Sequence, residues 1–336
     1  MAILGNPYID LIDTLKMQND DHSTAMVIEM LMQNNAILED AIAMECNSGT
    51  THLTSVRTGL PQATWGRFYK GISQGKGETA QVRDTTGFCE HISGVDERLL
   101  RISPNPNAIR LSEASAALEA VSQEVAETII YGNDNLDPEE FTGFAPRFND
   151  LNAGNGGQIV DGGGTGSDNT SIWFVTWGDN QSHLLYPKGT KAGIEREDMG
   201  RQRVTDEDGQ PYWVKEEVFR QYVGLTVRDW RYTSRIANID VSQLAAGSVD
   251  IMKLLRDGYW KIKKHRLPGT KQAIYANSDV LQAIDAASNP TSSTDSANNT
   301  PIRIRPGEAD GKDVMEYRKI PLRQVDAILN TEARVT

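Results

Sequence analysis

The chain has 336 residues, a length that can hold two domains with separate cores. Its 46 Asp and Glu side chains outnumber 34 Lys and Arg, so the formal net charge is −12. This acidic balance disfavours tight binding to a phosphate backbone, which needs clustered cations, and argues against a protein that reads nucleic acid.

The cysteines and the N-terminus bear on the cellular compartment. Cys46 and Cys89 are the two cysteines, far apart and in no Cys-x-x-Cys arrangement, so we expect two buried free thiols in a reducing cytosol. The N-terminus has no basic segment followed by an apolar one, and no stretch approaches the ~18 apolar residues of a membrane span. We therefore expect neither export nor insertion into a membrane.

Residues 1–50 are expected to form an acidic, helical N-terminal arm. Asn6 and Pro7 supply a helix cap and a first turn, and apolar spacing predicts a second helix over about Ser23–Glu45. Lys16 is the single Lys or Arg in this stretch, against eight Asp and Glu residues.

Residues 51–93 are predicted to form an extended hairpin, with strand-like arms over 54–69 and 79–92 and a glycine-rich tip. Trp65, Phe68 and Tyr69 would be exposed on a strand pair too long and too polar to fold alone. We expect these aromatic side chains to contact a partner surface, most simply a second copy of the chain. The hairpin also carries five cations expected at the same contact: Arg57, Arg67, Lys70, Lys76 and Arg83.

A long helix is predicted over residues 111–132, with Ser112 as its cap and Gly132 as its stop. Its apolar residues form one stripe, and its length of about 30 Å could make it the spine of a domain. Every charge in this range is negative and therefore complementary to the hairpin. These candidate contact residues are Glu113, Glu119, Glu124 and Glu127.

The rest of the chain indicates an α+β fold. Residues 149–169 are rich in Gly, Asn and Asp and favour a long irregular loop, whereas strand-like runs between 171 and 239 predict an antiparallel sheet. A helix over about Val241–His265, a strand near 272–278, a helix over 279–288 and closing strands complete a mixed second unit.

The hairpin tip contains Gly71-Ile72-Ser73-Gln74-Gly75, which matches the Gly-x-Ser-x-Gly pattern of a hydrolase nucleophile elbow. An elbow needs a buried strand before it and a helix after it, whereas here a basic, aromatic run precedes the motif and Gly77 follows it. A serine hydrolase using Ser73 is therefore a distant alternative. The tip also fails as a phosphate loop, because the spacing of its glycines is one residue short and no Ser or Thr follows Lys76.

No metal or cofactor site is predicted. Asp150, Asn152, Asn155 and Asp161 offer oxygen ligands, but Asn155 replaces the sharp-turn glycine of a calcium loop and no Glu closes the site. The alternative of an extracellular calcium-binding adhesin is also disfavoured, because the sequence shows no export signal. The five histidines are scattered without zinc-ligand or Ser-His-Asp spacing. The basic stretch 261–266 is interpreted as a solvated helix C-terminus in preference to a phosphate contact.

Several segments together resemble one family. They are VRTGLP at Val56–Pro61, YGN after the acidic helix, FTGFAPRF, GGGTGSDNTSIWFVTWG, YPKGTKAGI and VGLTVRDWRYTSRIANID. In this order they are similar to the major capsid proteins of tailed bacteriophages, which share the shell fold named for the phage Hong Kong 97. The resemblance runs from the N-terminal arm to at least Asp240.

The resemblance implies a non-enzymatic shell subunit with four parts: an arm over 1–50, a hairpin over 51–93 that reaches over a neighbour, a peripheral domain over 94–238 with the spine helix, and an axial domain over 239–336. It implies self-assembly into hexamers and pentamers of an icosahedral head, which encloses double-stranded DNA without binding it specifically. Such a virion protein would be assembled in the cytoplasm of the host bacterium. Further partners would be a separate scaffolding protein, a portal and a cement or decoration protein.

A shell protein of an encapsulin-like nanocompartment, which has the same fold but encloses enzymes, is the nearest alternative. Subunits of the phage family can be joined by Lys–Asn isopeptide cross-links. Lys70 and Lys76 are the lysines of the hairpin, but no acceptor Asn matches a motif, so cross-linking is not expected.

Overall fold

A computed structural model describes residues 33–103, 105–205, 209–265, 267–288, 304–309 and 312–336. The helices are α1 (Ile37–Asp40), α2 (Glu97–Ile102), α3 (Pro106–Tyr131), α4 (Phe144–Arg147), α5 (Val241–Ala245), α6 (Ile251–Lys261) and α7 (Ser278–Ser288). The strands are β1 (Ala43–Glu45), β2 (Thr51–Gly59), β3 (Glu78–Asp96), β4 (Ile159–Asp161), β5 (Asn169–Trp177), β6 (Ser182–Tyr186), β7 (Ile194–Thr205), β8 (Pro211–Val227), β9 (Ser234–Asp240), β10 (Lys271–Ala276), β11 (Ile304–Ala309), β12 (Lys312–Tyr317) and β13 (Ile320–Gln324).

The strands form one mixed sheet in the order β11-β12-β13-β10-β5-β6-β8-β3-β2. The strand β7 adds to β8, β1 adds to β6, and β9 joins β5 to β4. Most pairs are antiparallel, but β1–β6, β4–β9, β10–β13 and the single-residue pair β5–β6 are parallel. The predicted α+β class is confirmed. Within the antiparallel sheet predicted between 171 and 239, the pairs β5–β9, β6–β8 and β7–β8 are antiparallel as expected, and β5–β6 is parallel at one residue pair.

The central strand β5 has a core on each of its two faces. All nine of its residues are buried, because side chains that alternate along a strand point to opposite faces and here both faces are covered. Trp173 and Val175 pack with the buried face of α3 in the first core. Ile172 and Phe174 pack with α6 and α7 in the second core.

The spine helix α3 begins five residues earlier than predicted. Asn105 is its cap, since the Asn105 Oδ1 accepts a hydrogen bond from the Ala108 N–H at 3.3 Å, and Pro106 fills the first turn. Ser112 is therefore not the cap. The longer helix includes Arg110, so the expectation of a helix without positive charge is wrong.

The predicted end of α3 at Gly132 is confirmed. A Cβ atom at this position would lie 2.5 Å from the Phe141 carbonyl oxygen, closer than real Cβ contacts. The chain can therefore fold back tightly after the helix only because residue 132 has no side chain.

Two other predicted helices are shorter than expected. In the described part of Ser23–Glu45, α1 covers one turn, and residues 43–45 instead pair in parallel with Leu184–Tyr186 of β6. The predicted helix over Val241–His265 divides into α5 and α6, because Gly247 adopts a left-handed φ of 72° and Asp250 caps a new helix. The first predicted helix, after Asn6 and Pro7, lies outside the described residues.

The loop predicted over 149–169 contains a single 3-10 turn, Gly156–Gln158, and the short strand β4. Within the described ranges of the chain, no helix has the length and apolar character needed to cross a lipid bilayer.

Candidate functional site

The hairpin of β2 and β3 is held by one long strand that changes its partner. Residues 78–85 of β3 pair with β2, and residues 86–96 of the same strand pair with β8 in the main sheet. At about 3.3 Å per residue, the first half carries the hairpin roughly 25 Å beyond the sheet. The projection is therefore a continuation of the sheet and not a loosely attached loop.

The tip of this hairpin is fully exposed. Trp65, Phe68 and Tyr69 have relative exposures of 101%, 93% and 109%. All of residues 60–76 are exposed, and none of the five hairpin cations forms an ion pair with an acidic side chain in the described ranges. The predicted exposure is confirmed, but the strand arm predicted over 54–69 ends at Gly59, so the three aromatic residues lie in an irregular segment. Contact with a second subunit stays a prediction.

The spine helix has one face in the core and one face open. Val121, Val125 and Ile129 are buried, whereas Glu124 and Glu127 on the other side of the helix are exposed. Leu111 lies five turns before Ile129 on the same apolar stripe and is 68% exposed. The open face of the helix therefore carries acidic side chains that are accessible to a partner.

The four predicted glutamates of α3 differ in their surroundings. Glu124 and Glu127 are exposed, whereas Glu113 and Glu119 are half-buried. The Glu119 Oε1 accepts hydrogen bonds from the Gln33 N–H at 2.8 Å and from the Gln123 Nε2 at 2.7 Å. Glu119 therefore holds its own chain together, and the structure brings none of the four glutamates into a bond with a hairpin cation among the described residues.

The root of the hairpin is fixed by a buried ion pair that the sequence did not reveal. Asp84 in β3 is 5% exposed and accepts a hydrogen bond from the Arg147 guanidinium at 2.9 Å and another from the Thr226 hydroxyl at 2.5 Å. Arg147 also donates to the Leu225 carbonyl at 3.1 Å. The position of Arg147 within the FTGFAPRF segment was the available signal, but nothing local connects it to Asp84.

Two buried histidines lie beside this root. The ring centroids of His52 in β2 and His183 in β6 are 5.8 Å apart, and the Arg228 guanidinium lies 2.8 Å from the His52 Nε2. Burial, and then the charge of Arg228, lower the pKa of His183 to about 4. Burial first and then Arg228 also lower the pKa of His52. Both histidines are therefore neutral in the folded chain near neutral pH.

This pair predicts that the subunit loses stability in mild acid. In the unfolded chain His183 is protonated as the pH falls below 6.5, whereas in the folded chain it is protonated only near pH 4. The free energy of unfolding therefore falls as the pH drops from 6.5 to about 4, because the unfolded chain binds the proton more tightly. We expect His183 to contribute a loss of about 1.5 kcal/mol between pH 6.5 and about pH 5. Denaturant unfolding of the wild type and of His183→Gln at both pH values checks this. An equal loss in both proteins would contradict the assignment to His183.

The residues of the rejected motifs do not form a reactive or metal-binding site. The Ser73 Oγ lies 3.4 Å from the Thr64 Oγ1 in an irregular segment, without the strand and helix of a nucleophile elbow. Asp150 accepts a hydrogen bond from the Asn152 N–H in its own loop, whereas Asp161 accepts one from the Asn238 amide of β9. Within the described part of the chain, no group of three or more His, Cys, Asp and Glu could hold a metal ion.

The two cysteines are free thiols. Cys46 is buried as expected, and burial raises its pKa to about 11. Cys89 is half-buried instead of buried and packs against the first core. Burial raises the pKa of the Cys89 thiol too.

Comparisons with known proteins agree with this architecture. A family model described as major capsid protein GP7 matches residues 19–336. The capsid structure of bacteriophage Epsilon15 is 34% identical, covers 100% of both chains and superposes with a TM-score of 0.76. The capsid of a native GTA particle, at 11% identity, covers 64% of this chain and 94% of its own, with a TM-score of 0.44.

The SrpI encapsulin of Synechococcus elongatus, also 11% identical, covers 70% of this chain and 97% of its own with a TM-score of 0.45. No curated protein sequence matches the chain. The family model spans nearly the whole chain and the Epsilon15 capsid protein aligns from end to end, so the chain belongs to the major capsid proteins of tailed bacteriophages, with their non-enzymatic role and Hong Kong 97-type shell fold.

Proposed function

We propose that this major capsid protein assembles into hexamers and pentamers that form an icosahedral head around double-stranded DNA. The observation that carries the proposal is the fully exposed aromatic tip at the end of a hairpin anchored in the main sheet. Burying a side chain such as Trp65 is favourable, and a second copy of the chain is the simplest partner, because most oligomers of soluble proteins are built from identical subunits.

The proposed contact joins the hairpin of one subunit to the spine helix of its neighbour. Exposed pairs between the hairpin cations and Glu124 or Glu127 contribute only ~0.2–1 kcal/mol each, which lets misplaced subunits dissociate. Burial on the order of 1,000 Å² or more at each interface, with Trp65, Phe68 and Tyr69 as apolar anchors, then holds the correct arrangement.

We also propose the division into a peripheral unit over 94–238 and an axial unit over 239–336. The two cores support it, since the first is built mainly on α3 and the second on α6 and α7. The boundary falls inside β9. The two units would therefore share the strands β5 and β9 and would not be joined by a flexible linker.

Assembly in the cytoplasm of the host, a separate scaffolding protein, a portal and a cement or decoration protein are further parts of the proposal. The net charge of −12 supports a container that does not adsorb its DNA strongly. We place the acidic residues 1–50 on the inner side, where negative charge repels phosphate.

Reversed charges on the spine helix test the proposed contact. Glu124→Lys with Glu127→Lys would face the hairpin cations with like charge, so we expect a strongly reduced particle yield by negative-stain electron microscopy, less reduced at high salt. Adding Arg67→Glu and Lys70→Glu to the same chain restores opposite charges and should restore particles.

Glu139→Lys with Glu197→Lys is the matched control, because both of these side chains are exposed but lie outside the spine helix. It changes the net charge equally and should leave the yield unchanged. Normal particles from the spine variant, or no recovery in the combined variant, would refute the pairing of these two surfaces.

A further inference from the structure

One surface of the protein concentrates positive charge around an exposed tryptophan. The helix α6 ends in Trp260 and Lys261, and the turn between β12 and β13 is brought to the same place. We name this the Trp260 surface; it consists of Trp260, Lys261, Lys263, Lys264, Arg318 and Lys319. The lysines are exposed and the Trp260 side chain is 66% exposed.

The aromatic part of this surface is rigid. The rings of Tyr259 and His265 stack with centroids 3.7 Å apart and an interplanar angle of 6°. The Arg318 guanidinium carbon lies 4.6 Å from the centre of the Tyr259 ring and 5.5 Å from that of Trp260. Trp260 contacts Tyr259 edge-on at 5.5 Å, so its indole is held in place while most of it faces solvent.

The turn that supplies Arg318 and Lys319 has an unfavourable backbone. Both residues have left-handed φ angles, 54° and 66°. A two-residue hairpin turn of this kind favours Asn and Gly, and other side chains are strained there. Two long cationic side chains thus occupy a turn whose geometry selects against them. Such strained residues are a reason to look for a function at the place where they are held.

We propose that the Trp260 surface binds a nucleic-acid strand without sequence preference. The cations would contact successive phosphates, and the exposed indole would stack on an unpaired base. An acidic protein surface would be attracted by the same cations but has no need of an exposed, rigidly held indole. This proposed contact is a property of the single, unassembled chain. It is therefore separate from the proposed shell and from the enclosure of a genome.

The charge distribution around Trp260 restricts the path of the strand. Asp161 and Asp257 line a depression that also includes Trp260 and Lys261. These carboxylates repel phosphate, so the strand would follow Lys263, Lys264 and the β12–β13 turn instead. The sequence alone favours a solvated helix C-terminus for the basic stretch 261–266. The structure adds Arg318 and Lys319 from a second element.

Fluorescence anisotropy of labelled oligonucleotides with the dilute full-length chain tests the proposal. One arm uses single-stranded oligothymidine and the other a duplex of the same length, both over a salt series. Trp260→Ala should weaken single-strand binding about 5- to 150-fold and barely affect the duplex, because only unpaired bases stack. Trp213→Ala is the matched control: Trp213 is 43% exposed and also lies beneath an arginine, but it belongs to β8. It should leave binding unchanged.

Replacing Lys263, Lys264 and Lys319 together with Gln should weaken both arms and reduce the salt slope for the single strand by about 2. Three results would each overturn the inference: no oligonucleotide binding at low salt, equal effects of Trp260→Ala and Trp213→Ala, or equally tight binding of polyglutamate. The last result would favour an acidic protein partner.

A chain that builds normal particles but binds no oligonucleotide would refute this inference alone. A chain that binds oligonucleotide but never assembles would refute the proposed function alone.

Discussion

Replacing Trp65, Phe68 and Tyr69 together with alanine is expected to abolish particle formation and to leave the folded subunit intact. All three side chains are at least 93% exposed, so their removal takes no apolar contact from either core. Changes at such positions alter the free energy of unfolding by about 0.5 kcal/mol or less. At an interface, however, an aromatic anchor can contribute about 2 kcal/mol or more, and every subunit of the shell would lose all three.

The measurement combines particle counts by negative-stain electron microscopy with denaturant unfolding of the dispersed subunit. Trp213→Ala serves as a control, because it removes a partly exposed indole from β8 and should leave assembly normal. Wild-type particle numbers from the triple variant would remove the hairpin tip from the proposed interface. A large loss of subunit stability would show that the tip packs against its own chain.

Glu332→Gln is expected to destabilise the subunit by about 3–5 kcal/mol. Glu332 and Arg235 are 6% and 3% exposed, and the Arg235 guanidinium lies 2.8 Å from the Glu332 Oε2. The Ser171 hydroxyl donates to the same oxygen, and the Tyr131 hydroxyl donates to the Glu332 Oε1 at 2.5 Å. Neutralising the carboxylate leaves the positive charge of Arg235 buried without its partner, and this is the costly way to break a buried pair.

Denaturant unfolding near neutral pH measures this loss. Asp179→Asn is the control, since Asp179 also pairs with an arginine, Arg228, but its side chain is 63% exposed. Its loss should stay below about 1 kcal/mol, because solvent screens an exposed pair. A loss below about 1 kcal/mol for Glu332→Gln as well would mean that the buried network relaxes around a neutral side chain.

The elements that could be predicted from the sequence are those that depend on local signals. The end of α3 at Gly132 followed from a local stop signal, and the exposure of Trp65 followed from its polar, glycine-rich surroundings. The start of α3 at Pro106 could also have been predicted, because an Asn-Pro pair is a helix-start signal. The prediction began the helix at residue 111 instead, where the apolar stripe begins.

The features that were missed depend on contacts between distant segments. Ala43–Glu45 forms a strand only because Leu184–Tyr186 offers an edge to pair with, and this override of helical spacing cannot be seen in residues 23–45 alone. In the same way, the ion pair of Asp84 and Arg147 joins positions 63 residues apart. Glu119 was predicted at an interface from its charge, yet its contact with Gln33 exists only in the folded chain.

The partner exchange within β3 determines how the hairpin responds to force. When a neighbour pulls the tip along the strand axis, the force acts in shear on the hydrogen bonds between β3 and β8, from Thr86 to Asp96. Many of these hydrogen bonds must then break at the same moment. A ribbon joined to its body by a flexible loop would instead peel away one bond at a time. Tension between adjacent molecules would thus be carried into the middle of each sheet and spread over its whole width.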